Sequence, residues 1–147
     1  MYAKLLLAYV VAALAFGLLD AIWLRMAAPA LYRPAIGELL ADKFRLAPAV
    51  TFYVIFIAAL TYFAVVPGIL SNGAIGTTSF AGVPLSILHG MIFGFVCYAT
   101  YDLTNQATMK VWPVQLTLID MAWGTVASGF AAGFSTFIVT RVAGGLT

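Results

Sequence analysis

The sequence predicts an all-α integral membrane protein: a bundle of four transmembrane helices with a short interfacial helix between spans one and two. Three observations carry the prediction. Of 147 residues, 64% are hydrophobic and only 8% charged, whereas a typical soluble domain is about 25% charged. Mean hydropathy is +1.06. The apolar residues gather in runs near the roughly 20 residues needed to cross a hydrocarbon core of about 30 Å. Such runs must be helical, because each satisfies its own backbone hydrogen bonds in lipid.

The first run follows Lys4. Leu5 to Phe16 with Ala13-Leu14-Ala15 imitates a signal peptide and its cleavage site. The run continues through Leu24, so it reads as a retained first span, about Leu5–Ala27. Pro29 and Pro34 discourage its continuation. Ile36, Leu39, Leu40 and Phe44 then recur near helical spacing, opposite Glu38, Asp42, Lys43 and Arg45. That pattern predicts the short interfacial helix, serving as a connector.

Span two is expected over Pro48–Val66. The connection Pro67 to Pro84 carries no charge, and its Asn72-Gly73, Gly76 and Gly82 mark turns. Its apolar residues Ile69, Leu70, Ile75, Phe80 and Val83 are expected to pack at the end of the bundle. Span three is expected over Leu85–Thr108 and span four over Pro113–Thr140, joined by Met109 to Trp112 as a helical hairpin. Gly90/Gly94 and Gly129/Gly133 are G-x-x-x-G pairs that permit close helix approach. The whole chain, 1–147, reads as one domain.

Lys and Arg orient the bundle. Arg25, Arg33, Lys43, Arg45 and Lys110 flank the first and third connections, against Lys4 and Arg141 on the other side. The expectation is cytoplasmic first and third connections with both termini outside. The basic residues are dispersed, so no nucleic-acid partner is implied. The single Cys97 excludes an intramolecular disulfide and C-x-x-C redox chemistry.

The functional signal is acidic. Asp20, Asp102 and Asp120 all lie inside apolar runs, while no Lys or Arg is comparably embedded. Ionisable residues at membrane depth are costly and point to function. Asp20 lies about 7.5 Å along a helix before Arg25, Asp120 about 12 Å after Trp112, and Asp102 about 12 Å before Lys110. With alternating helix directions, all three fall toward the predicted cytoplasmic side. Tyr98, Tyr101, Asp102 and Asn105 form one i, i+3, i+4, i+7 stripe, and Asp20 shares a face with Trp23 as Asp120 does with Trp123. Thr100, Thr104 and Gln106 enlarge the polar population nearby.

A polar cavity results, with Asp20, Trp23, Tyr98, Tyr101, Asp102, Asn105, Asp120 and Trp123 as candidate ligand-binding residues. In a poorly hydrated layer, three neighbouring carboxyls are expected to retain at least one proton near neutral pH. The structural alternative is hydrogen bonding of each Asp to a Trp N–H or Tyr O–H on another helix. Trp112 reads as an interfacial anchor. His89, about 18 Å from Tyr101 by helical rise, reads as a hydrogen-bonded residue apart from the acids. No metal site and no cofactor is expected, since neither Cys/His clusters nor EF-hand spacing occur.

Asp20-x-x-Trp23-Leu24, the word Tyr98-x-x-Tyr101-Asp102-Leu103-Thr104-Asn105-Gln106-Ala107-Thr108 and Asp120-x-x-Trp123-Gly124 resemble a bacterial family of small inner-membrane proteins, domain-of-unknown-function family two-one-seven-seven. The resemblance covers nearly the whole chain. It implies a four-span protein of the bacterial inner membrane and brings no activity with it. The leading functional expectation is a small transporter or ligand-binding protein with a protonatable cavity. Its partners would be membrane lipids, an unknown small molecule or lipid ligand, and other copies of itself in a homo-oligomer. A membrane enzyme acting on a lipid or isoprenoid is the alternative, with Tyr101, Asp102 and Asp120 as candidate catalytic groups. A structural subunit of a membrane complex is the third.

Overall fold

A computed structural model describes residues 2–71, 79–80 and 83–143 of the chain. Helices dominate it: α1 (Tyr2–Ala27), α2 (Arg33–Ile36), α3 (Leu46–Leu60), α4 (Val66–Leu70), α5 (Leu85–Thr108) and α6 (Val114–Ala143). A two-residue antiparallel ladder, β1 (Ser79–Phe80) with β2 (Val83–Pro84), precedes α5. Asn72-Gly73, Ile75, Gly76 and Gly82 of the second connection lie outside the described residues.

The first helix does not stop at its prolines. It continues through a wide π turn, Ala28–Tyr32, then α2 and a 3₁₀ turn, Gly37–Leu39, as one helical run of 38 residues. Proline cannot donate the usual backbone hydrogen bond. Here the turn widens instead, and Arg33 N–H reaches back five residues to the Ala28 carbonyl. The separate amphipathic helix expected over 36–45 does not form, because Leu40–Arg45 is non-helical. Ile36 is buried by the continued run.

The second span is likewise continuous over Leu46–Leu70, 25 residues, through a π turn at Thr61–Val65. Val66 N–H bonds the Thr61 carbonyl there. His89 Nδ1 sits 3.2 Å from the Phe63 carbonyl of the same turn. It thus engages a bundle-end backbone group, far from the acids.

Among the described residues, three helices are long and apolar enough to cross a membrane: Tyr2–Leu39, Leu46–Leu70 and Val114–Val142. The 24 residues of α5 would cover about 36 Å. Its polar stripe keeps it out of that group.

The packing inverts the soluble pattern. Ala8, Ala12, Ala15, Ala127, Ala131 and Ala132 form much of the core, with Ser128, Ser135 and Thr136 buried among them. Leu6, Leu14, Leu18, Ile55 and Phe130 face outward. Small interior residues allow helices to approach closely where lipid already satisfies the large apolar ones. Ser135 Oγ donates to the Ala8 carbonyl at 2.8 Å, tying α6 to α1.

The α5–α6 hairpin is the tightest pair. A Cβ on Gly90 would lie 2.6 Å from the Ser128 carbonyl, and one on Gly94 would lie 2.7 Å from Ser128 Cβ. Gly124 gives its missing side chain's space to the Tyr98 ring. By contrast, α3 makes few direct contacts with α5, which meets the second span mainly at Thr61–Val65. The two helices therefore leave room between them on the side where Cys97 and Tyr98 lie.

Candidate functional site

The two D-x-x-W words cross-connect. Trp123 Nε1 of α6 donates to Asp20 Oδ1 of α1 at 3.3 Å, and Tyr53 of α3 donates to Asp20 Oδ2 at 2.5 Å. On the other arm, Trp23 Nε1 donates to the Tyr32 hydroxyl at 3.2 Å, and Tyr32 in turn donates to Asp120 Oδ1. Each tryptophan thus serves the aspartate of the other helix, one directly and one through Tyr32. The Trp23 and Trp123 rings stack between the arms, with centroids 4.5 Å apart and planes within 8°.

Asp20 and Asp120 are 6% and 4% exposed. Asp20 accepts from both Tyr53 and Trp123, as the structural reading of a buried aspartate requires, while Asp120 accepts from Tyr32 on one oxygen. An indole N–H can only donate, which makes the Asp20 oxygen facing Trp123 an acceptor.

Asp102 differs. It is wholly buried, and among the described residues neither carboxyl oxygen has a hydrogen-bond partner. Asn105 Nδ2 and Trp112 Nε1 are also buried without partners. Trp112 lies close enough to influence Asp102 but does not meet hydrogen-bond geometry. Trp112 is partly buried, with its Nε1 enclosed by the protein. Asp120 lies within electrostatic reach of both other acids. Among the described residues, however, no group of three or more His, Cys, Asp or Glu is placed to hold a metal ion.

Two cavities adjoin these residues. The larger, about 460 Å³, is a half-open cleft between the run 24–40, α3 and the C-terminal half of α5. Leu24, Ile36, Leu40, Phe52, Phe56 and Cys97 supply apolar wall, while Tyr98, Tyr101 and Trp112 add aromatic surface. Tyr32 and Asp120 form its polar end. The smaller, about 250 Å³, is lined by Asp20, Trp23, Tyr53 and Phe44, and shares Leu24, Tyr32, Phe52 and Tyr98 with the first.

Among the residues singled out in the sequence, Tyr98 and Asp120 line the larger cleft, and Asp20 and Trp23 the smaller. Tyr101, 58% exposed, stands at the rim with its ring edge-to-face on Trp112 at 5.6 Å. Trp123 supports Asp20 from behind. Asp102 and Asn105 line neither cavity. Thr100 and Thr104 bond their own helix carbonyls, and Gln106 accepts from Thr117 across the hairpin at 3.0 Å.

The sequence pattern does not single out Tyr32 and Tyr53. Tyr32 falls in the segment that reads as a connector, and Tyr53 in a run without acids. An aromatic hydroxyl within a turn or two of a span end is the signal that marks them.

A family model described as "Predicted membrane protein (DUF2177)" matches residues 5–137. No curated protein matches the chain, and no solved structure does.

Proposed function

The chain belongs to the DUF2177 family of predicted membrane proteins, and we propose that it binds a small amphiphile in the cleft that ends on Tyr32 and Asp120. One observation carries this reading. A space of about 460 Å³ has walls that are almost wholly apolar and aromatic, and one end that presents a hydrogen-bonded acid. Ligand pockets commonly measure about 300–1,000 Å³ and combine apolar walls with a few placed polar groups. The sparse contact between α3 and α5 supplies a lateral mouth, so the ligand enters from lipid with its tail along Phe52 and Phe56. In this reading α5 is the fourth membrane crossing. Its polar stripe faces the hairpin and the cleft, and its partner α6 carries the apolar balance.

Binding is favoured over conduction because both cavities lie at one end of the bundle, around Asp20 and Asp120. A bromine-tailed alkyl amphiphile tests the reading in lipid nanodiscs. Bromine quenches indole fluorescence on contact, and Trp112 is part of the cleft wall. Saturable quenching that shrinks in Trp112→Phe is expected. Quenching that rises linearly with ligand and is unaltered by the substitution would reflect partition into lipid alone and would reject the site.

A further inference from the structure

We propose that the occupant of this cleft is a single-tailed organic cation, an amine or quaternary ammonium head on an apolar chain. The inference rests on the amphiphile-binding reading and names its ligand class. Charge complementarity carries it. Asp120 lines the cleft and lies within electrostatic reach of Asp20 and Asp102, so three acids act on one small volume. No Lys or Arg lines either cavity, and Arg25 and Arg33 are exposed. Among the described residues the protein thus brings carboxyl groups to the cleft and no basic side chain to meet them. Charged groups removed from water require a partner, and a cationic head supplies one.

The aromatic wall fits the same class. Tyr32, Tyr98, Tyr101 and Trp112 all border the cleft. Ring faces attract ammonium groups, most strongly where water is excluded. Asp120 also keeps capacity for a ligand: its Oδ1 accepts from the Tyr32 hydroxyl, and no second hydrogen bond to it falls among the described residues.

Other heads fit less well. An anionic head meets three acids and no base. A zwitterionic phospholipid carries its phosphate to the same acids, and its two chains exceed a space of about 460 Å³. A neutral hydroxyl gains one hydrogen bond and leaves the field unmet.

The test compares three bromine-tailed undecyl probes in phosphatidylcholine nanodiscs: trimethylammonium, alcohol and sulfate. A unit charge in a site of low polarity discriminates sign strongly, so the cationic probe is expected to bind at least about tenfold more tightly than either other. Asp120→Asn, which keeps the shape and removes the charge, is expected to erase most of that preference. Equal binding of all three heads, or preference for the anion, overturns the cation inference and leaves the amphiphile site standing. Absence of saturable quenching by every probe overturns both.

A readout on the wild-type chain covers the case of a misfolded variant. Cys97, the sole cysteine, lines the cleft. Its modification rates by methanethiosulfonates with trimethylammonium or sulfonate heads are each normalised to a small free thiol. The normalised ratio is expected to favour the cationic reagent about tenfold. A normalised ratio of one or below rejects the proposal.

Discussion

At the scale of single residues, the three buried acids divide by how they are held. Asp20 has two donors, Asp120 has Tyr32, and Asp102 has none. Removing a donor from a buried acceptor costs about 1–3 kcal/mol. Tyr53→Phe, which deletes one hydroxyl, should therefore lower stability by about that amount in a denaturation series in detergent micelles. Asp102→Asn removes no hydrogen bond and relieves an unpartnered carboxyl, so its midpoint should stay level or rise. A midpoint for Asp102→Asn as low as that of Tyr53→Phe would show that Asp102 holds the bundle. The acids themselves are legible in the sequence, because a carboxylate inside an apolar run stands out by composition alone. Their partners are not: Tyr32 and Tyr53 are separated from Asp120 and Asp20 by 88 and 33 residues. Helical phase places Asp20 beside Trp23 on one face. It cannot say that the ring then serves the acid of another helix.

At the scale of elements, the hydropathy pattern locates the helices well. It predicts helix over 85–108, and α5 runs Leu85–Thr108. The turn at Ala28–Tyr32 departs from the sequence expectation for a local reason. Pro29 brings no N–H to this turn, and the Arg33 N–H closes it on the Ala28 carbonyl five residues back. One extra residue in that turn rotates the downstream residues by about 100° relative to an unbroken helix. Tyr32 reaches Asp120 and Ile36 reaches the cleft from within this altered phase. The glycines of the hairpin separate packing from backbone freedom. A Cβ at Gly94 would come within 2.5 Å of Ser128 Oγ and 2.7 Å of its Cβ, whereas one at Gly17 meets nothing within 4 Å. Gly94→Ala should cost about 1–3 kcal/mol through forced separation of α5 and α6. Gly17→Ala should be neutral or stabilise by about 0.5–1 kcal/mol through helix propensity. Steric-trapping or denaturant titration of the two variants checks the pair, and equal effects would refute a close-packed seam at Gly94.

At the scale of the whole molecule, the number of crossings decides which side each end occupies. Among the described residues, three helices are long and apolar enough to cross, and α5 is not one of them. Three crossings place the termini on opposite sides of the membrane; four place them on the same side. The basic residues favour four: Arg25, Arg33, Lys43 and Arg45 flank the first connection, and Lys110 lies between α5 and α6. Positive residues in short connections stay cytoplasmic. With α5 across the membrane, all five meet on that side and Lys4 and Arg141 stand opposite. With α5 outside the bilayer, the α5–α6 seam at Gly90, Gly94, Gly124 and Gly129 would be pulled apart, since α6 qualifies as a crossing itself. The polar stripe of α5 is tolerable in lipid because Tyr98 packs on Gly124, Gln106 bonds Thr117 and Asp102 is buried. Insertion of α5 should therefore depend on α6. A glycosylation-mapping assay should find α5 poorly inserted alone and efficiently inserted as the α5–α6 hairpin. Reporter fusions at each end of the full chain should place both outside the cytoplasm. Termini found on opposite sides would reduce the bundle to three crossings and leave the lateral cleft without its inner wall.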